Sequence, residues 1–351
     1  MPGVTRETGV REVGENVERS RQGEAGQPTW VRTSPEHRFE LQLAYLSTHP
    51  GAFVERVDAG GCATAVRWRD RPTFVEVRVD GEGSVGDVSV KSPKSVKASS
   101  PVEPAPLSGI RESQSPTRGV WVRGPVEVAD RMFQFEADIR GFDNAVAGSP
   151  LEPVHQLYRG FKPVCMADPF QGMCWVIVGQ QVNVTFAAKL KRTLVEKFGD
   201  TLQVGEAVYR VFPSPERIAG LEPEDLRPFQ FSRQKASYLI SLARRIVNGW
   251  DTSVYEGMEA EEAIAHLTQV KGVGRWSAEC FLLFVFRHPD VLPAADIGLR
   301  QALGKLLGLG RNATEVELRE FGRMFAGWRS YVSQYLWLAL REGRWEKEAV
   351  D

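Results

Sequence analysis

A glycine-containing turn between two helical patterns constrains this chain more than any other stretch. Over Glu259 to Leu306, Ala263, Leu267 and Val270 recur at helical spacing before Lys271-Gly272-Val273-Gly274 interrupts them. An interior glycine costs a helix about 1 kcal/mol against alanine, so the pair ends it. From Arg275 the pattern resumes through Ala278, Phe281, Leu282, Val285 and Phe286, apolar on most sides, which marks a buried helix. The two helices therefore pack together and hold the hairpin at a surface. Gly272 and Gly274 let backbone N–H groups approach an external partner, and the N-terminus of the second helix adds partial positive charge. Such a site suits a phosphate oxygen. A plain helix-turn-helix corner is the bland alternative.

Beyond His288-Pro289-Asp290 the chain runs Val291-Leu292-Pro293-Ala294-Ala295-Asp296, and Ile297-Gly298-Leu299-Arg300-Gln301-Ala302-Leu303 begins a new amphipathic helix. Asp296 sits where an N-cap belongs, a role worth about 1 kcal/mol. A carboxylate there, beside a phosphate-binding hairpin, is also placed to stabilise a cationic transition state or to orient water. The two roles are compatible.

Composition narrows the setting. The chain has 351 residues, enough for two or three domains and a substantial core. It shows neither an apolar run of about 18 residues nor a basic-then-apolar leader, so membrane insertion and secretion are not expected. Cys62, Cys165, Cys174 and Cys280 are widely spaced with no CxxC, which points to reduced thiols in a cytoplasmic protein. With 44 Lys+Arg against 45 Asp+Glu the net charge is −1, so any affinity for nucleic acid needs a local basic face.

Residues 1–28 are polar and without apolar periodicity, and read as a disordered tail. Pro35 to Thr48 carries a short helical pattern. Phe53–Val57, Cys62–Trp68 and Thr73–Val79 then alternate apolar and polar residues, with Gly60-Gly61 and Arg71-Pro72 as turns, and read as half-buried antiparallel strands. Residues 81–118, rich in Ser, Pro, Gly, Val and Lys, read as a flexible insertion. Gly119–Gly124 restores a strand, and Ala129 to Ala147 is helical with a break near Arg140-Gly141. Beyond Pro150 the pattern is helical almost throughout. Gln180-Gln181 follows an apolar run at a helix end, where two amides commonly cap carbonyls. Pro215 and Ser232-Arg233-Gln234-Lys235 open further helices. Near the C-terminus Trp328, Tyr331, Tyr335 and Trp337 stand at helix-compatible spacing, which by default means core packing. The fold class expected is α+β: an antiparallel-sheet domain over 29–150, then an all-α region over 151–351.

Val270-Lys271-Gly272-Val273-Gly274-Arg275-Trp276-Ser277-Ala278, followed by Leu292-Pro293-Ala294-Ala295-Asp296, resembles the helix-hairpin-helix DNA glycosylase superfamily, and within it the bacterial 3-methyladenine DNA glycosylase II. The resemblance extends to the β-rich first third. It implies that Asp296 is the catalytic carboxylate. It implies too that the hairpin residues Lys271, Gly272, Val273, Gly274 and Arg275 bind the DNA backbone, partly through a monovalent cation on the carbonyls of Gly272 and Gly274. Gln180 and Gln181 would approach the lesion, Gln181 plugging the gap left by an extruded nucleotide, whose unstacking costs a few kcal/mol. Trp276 and Trp328 would form an aromatic base pocket with Cys280 and Ile297, and a positively charged alkylated purine gains about 0.5–2 kcal/mol from each tryptophan face.

Several positions depart from the family. Lys271 stands where proline is common, Cys280 where an aromatic is frequent, Ile297 where some members carry tyrosine, and Gly327 replaces a proline before Trp328. Members that cut the strand through a Schiff base carry a lysine two residues after the second hairpin glycine, and here that residue is Trp276. The four-cysteine cluster of some relatives is missing, so no iron–sulfur centre and no required cofactor are expected. The function implied is a monomeric, monofunctional base excision repair enzyme. It would extrude alkylated purines of the 3-methyladenine and 7-methylguanine type from duplex DNA and hydrolyse the N-glycosidic bond. Alternatives from other classes are a non-catalytic damaged-DNA-binding module and a helical scaffold whose hairpin binds another protein.

Overall fold

The computed structural model describes residues 27–49, 51, 55–79 and 118–345. The expected tail and the expected insertion over 81–118 lie outside them, apart from residues 27, 28 and 118. The first part holds β1 (Thr29–Arg32), α1 (Phe39–Thr48), β2 (Arg56–Asp58), β3 (Gly61–Trp68), β4 (Arg71–Val79) and β5 (Gly119–Arg123). The strands form one antiparallel sheet in the order β1-β5-β4-β3-β2. The turn expected at Arg71-Pro72 lies at Arg69-Asp70 instead, because Trp68 pairs with Arg71. Both turn residues have positive φ, 47° and 64°, as a tight hairpin matched to strand twist demands.

Short helices α2 (Val126–Phe133), α3 (Arg140–Val146) and α4 (Glu152–Leu157) follow. The break expected near Arg140-Gly141 comes earlier, at Gln134, whose φ of 54° ends α2. Then come α5 (Pro169–Gly179), α6 (Val184–Phe198), β6 (Asp200–Val204), β7 (Ala207–Val211), α7 (Pro215–Ala219), α8 (Pro223–Leu226) and α9 (Arg233–Val247). The chain closes with α10 (Ala260–Leu267), α11 (Arg275–Phe284), α12 (Ile297–Leu306), α13 (Glu315–Arg323) and α14 (Arg329–Glu342). Among the described residues no helix is long and apolar enough to cross a membrane.

Helix starts follow local chemistry. Asp168 accepts from Phe170 N at 2.9 Å with Pro169 in the first turn of α5, Asn183 caps α6, Ser232 caps α9, and Thr314 with Glu317 closes a capping box on α13. Helix α5 is buried continuously from Phe170 to Val178, with Gln171 the one polar residue in that stretch. One core cluster runs from Val75, Val77 and Val122 of the sheet through Phe142 and Phe161 to Phe281, Leu303 and Tyr335.

The antiparallel hairpin β6–β7 departs from the expected all-α region. Its signal is a short alternation, Leu202 and Val204 against Tyr209 and Val211, around a turn where Gly205 takes φ 57°. The hairpin packs on the sheet: Tyr209 and Val211 cluster with Ala63 and Ala65, and the Tyr209 and Phe74 rings meet edge to face at 5.1 Å. Arg67 ties β3 to Asp200, and Arg210 N donates to Glu55 Oε1 at 2.6 Å. Truncating a buried aromatic costs about 3–5 kcal/mol. Tyr209→Ala is therefore expected to lower the urea unfolding free energy by about 3 kcal/mol, and a loss below about 1 kcal/mol would show that this packing does not hold the hairpin to the sheet.

Candidate active site at the helix hairpin

Val270 and Val273 turn inward at 5 % exposure each, which leaves Lys271 and Gly274 outward between them. Gly272 needs to be glycine for two reasons: its φ is 87°, and an added Cβ would lie 2.4 Å from the Tyr238 ring of α9. Gly274 is different. It is extended at φ −92°, ψ 177°, caps α11, and has open space where a side chain would stand. An incoming backbone can approach there, next to a helix first turn whose N–H groups have no intrahelical partners.

The end of α5 clamps this hairpin. Gln180 Nε2 donates to Gly272 O at 2.8 Å and to Ser277 Oγ at 2.9 Å. Lys235 Nζ donates to Val178 O at 2.6 Å and Gln180 O at 2.7 Å, satisfying carbonyls at the terminus of α5, and burial lowers its pKa. Gln180 thus holds the hairpin in place, while the adjacent Gln181 is exposed at φ 55°, a left-handed conformation uncommon for glutamine.

Asp296 caps α12, its Oδ1 accepting from Leu299 N at 2.9 Å. The same oxygen accepts from Trp337 Nε1 at 3.0 Å, and Oδ2 accepts from Trp276 Nε1 at 3.3 Å. Two half-buried indoles, from α11 and α14, therefore orient the carboxylate from both sides. Trp337 is itself stacked on Phe284 at 5.4 Å, with the ring planes 17° apart. Gly298 keeps the space clear, since a Cβ there would lie 3.0 Å from Asp296 Oδ1.

The other expected pocket residues take three different settings. Trp328 precedes α14 and packs against Phe142 at 6.0 Å, Tyr331 at 5.2 Å and Gly141, so the α14 tryptophan bonded to Asp296 is Trp337. Cys280, four residues after Trp276 on α11, is buried at 2 % exposure, and burial, with the charges of Asp296 and Glu279, pushes its thiol pKa well up. Ile297 is 70 % exposed beside the carboxylate.

Arg275 is committed within the protein. It pairs with Glu261 through both terminal nitrogens, at 3.0 and 2.5 Å, and its Nε donates to Glu279 Oε1 at 3.0 Å. Arg319 reaches the same Glu279 oxygen at 3.2 Å. Burial pushes the Glu279 pKa up, against the pull of both arginines. Arg275 therefore fastens α10 to α11, and Arg319 adds α13 through the shared Glu279. Both expected cations are exposed, but among the described residues only Lys271 has no ion-pair partner. The carbonyls of Gly272 and Gly274 already accept from Gln180 Nε2 and Ala278 N. A cation would have to share each with an existing donor. A backbone carbonyl has two lone pairs, so one accepted hydrogen bond leaves the second for such an ion.

Left-handed strain for a non-glycine residue is of order 1–3 kcal/mol, and at Gly272 a steric overlap adds to it. Gly272→Ala is expected to lower unfolding stability by about 2 kcal/mol or more, and Gly274→Ala by clearly less. Equal effects in a denaturant titration would contradict the distinction drawn between the two glycines.

Residues 174–325 match the family described as HhH-GPD superfamily base excision DNA repair protein. The chain is 32 % identical over 218 residues to a DNA-3-methyladenine glycosylase of Bacillus subtilis, an alignment covering 61 % of this chain and 72 % of that one. It is 29 % identical over 312 residues to a putative DNA-3-methyladenine glycosylase of the same organism, covering 88 % and 98 %. The fold is similar to that of a 3-methyladenine DNA-glycosylase from Archaeoglobus fulgidus, with a TM-score of 0.71 at 20 % identity over 90 % of this chain and 99 % of that one. With hairpin, clamp and oriented carboxylate on one surface, the chain belongs to the helix-hairpin-helix superfamily of base excision repair DNA glycosylases and is 3-methyladenine DNA glycosylase II-like.

Proposed function

We propose that this protein is a monofunctional glycosylase that extrudes alkylated purines, of the 3-methyladenine and 7-methylguanine type, from duplex DNA and hydrolyses their bond to deoxyribose. The observation that carries the reading is the Asp296 carboxylate, oriented by the Trp276 and Trp337 indoles at the start of α12. A purine alkylated on a ring nitrogen is cationic and leaves as a neutral base. The C1′–N bond breaks with its electron pair going to the base, so no proton need be delivered to the leaving group.

Positive charge then builds on the sugar, where a fixed carboxylate stabilises it without having to reorganise. Water adds at C1′ and gives up a proton, leaving an abasic site. Trp276 occupies the place where a Schiff-base lysine would stand, which supports hydrolysis without strand cleavage. Gln181, exposed and turned outward, suits the role of a plug in the vacated stack, and Gln180 acts behind it by holding the hairpin. Lys271 and the open backbone at Gly274 suit a phosphate of the duplex.

Asp296→Asn is expected to abolish release of free base from methylated duplex while duplex binding persists, and the wild type is expected to leave strands intact until alkali. No release by the wild type, or breaks before alkali, would overturn the reading. Trp337→Phe keeps a ring on Phe284 but removes one donor to Asp296. A hydrogen bond to a charged group contributes about 1.5–3 kcal/mol, so the single-turnover rate should fall about ten- to hundredfold.

A further inference from the structure

Beside the hairpin, away from Asp296, lies an open cleft of about 650 Å3 between the C-terminal half of α9 and the residues entering the turn. Gln269, Val270 and Lys271 form one wall, and Ser241, Arg245 and Asn248 the other, with Trp250 at the end. No aspartate or glutamate lines it. Ser241, Arg245 and Asn248 follow Tyr238 at helical spacing along one stripe of α9, and Tyr238 is the ring beneath Gly272. The stripe therefore runs from under the hairpin directly into the cleft.

The cations in the cleft differ in what they already do. Arg244 is engaged, donating to Ala219 O at 3.0 Å, Leu221 O at 3.1 Å and Glu222 Oε1 at 2.9 Å, and it fastens α9 to the α7–α8 segment. Arg245 has no such anchor. Its guanidinium stands 4.9 Å from the Trp250 ring, and among the described residues no carboxylate pairs with it. Stacking fixes the plane of a guanidinium and leaves its N–H edge free, the disposition that suits an oxygen anion. Lys271 projects from the opposite wall, likewise with no ion-pair partner among the described residues. Asn248 and Gln269 add amide donors, and Ser241 a hydroxyl.

We propose that this cleft is a second phosphate subsite, taking the duplex backbone next to the segment gripped by the hairpin. The inference rests on the duplex-DNA reading above and extends it to a footprint running along α9. Duplex DNA carries a charge about every 1.7 Å of its axis, so a surface continuing from one bound phosphate meets others. It also gives a protein of net charge −1 a local basic strip, where its overall composition provides none.

The test measures affinity for undamaged duplex across a series of salt concentrations, for the wild type, Arg245→Gln and Gln269→Glu. Arg245→Gln keeps a planar group against Trp250, and Gln269→Glu changes an exposed residue. Each phosphate contact contributes about 0.9 to the slope of log affinity against log salt. Arg245→Gln should flatten that slope by about one unit and weaken binding about tenfold, on damaged and undamaged duplex alike. Gln269→Glu should weaken binding severalfold.

Identical slopes in wild type and Arg245→Gln, with base release still measurable, would overturn the cleft subsite and leave the glycosylase reading standing. A wild type that binds no duplex would sink both together. Free inorganic phosphate satisfies the same donors. If phosphate raised the unfolding midpoint of the wild type but not of Arg245→Gln, with DNA slopes identical, the cleft would be a site for free anion and the proposal would fail.

Discussion

Three helices meet at one carboxylate. Asp296 takes the amide of Leu299 from α12, the indole of Trp276 from α11 and the indole of Trp337 from α14, so its position depends on the packing of all three. A bond to a charged acceptor is shorter and stronger than a neutral one, and a side chain held by three of them has little freedom left. The cap that starts α12 and the acceptor that orients the indoles are the same side chain. Stability and the proposed chemistry therefore rest on the same side chain.

The approach to that carboxylate is built in the same economical way. Gln180 at the end of α5 meets the hairpin carbonyl, and Lys235 at the start of α9 meets the carbonyls behind Gln180. The buried Glu279 gathers Arg275 and Arg319 and locks α11 to α13. Truncating either arginine would leave a buried carboxylate short of a partner, a larger cost than the pair is worth in itself. Charges that look available in the sequence are thus consumed by the scaffold, while Lys271 and Arg245, to one side of the turn, carry no ion pair among the described residues.

What was legible in the sequence was local. The helix pair, the turn at Gly272-Val273-Gly274 and the cap at Asp296 each follow from patterns within a few residues, and each is present as expected. The antiparallel sheet and the helical remainder were legible for the same reason. Contacts across the chain were not. Trp328 and Trp337 both fit helical spacing, and only the phase of α14 against α12, a product of packing, selects Trp337. Likewise Arg275 adjoins the hairpin in sequence, yet its partners Glu261 and Glu279 come from helix faces whose relative rotation no local pattern states. The β6–β7 alternation was short enough to be lost among helices, and its partner surface lies far back in the chain.

That last pairing has a consequence for biogenesis. Arg67 and Asp200 are 133 residues apart, and the hairpin that covers Ala63, Ala65 and Phe74 is made long after them. During synthesis the sheet therefore emerges from the ribosome with an uncovered apolar face, a surface that invites association with other chains. That face is covered only once a segment translated in the middle of the helical region folds back onto it, so an interrupted chain exposes Ala63, Ala65 and Phe74.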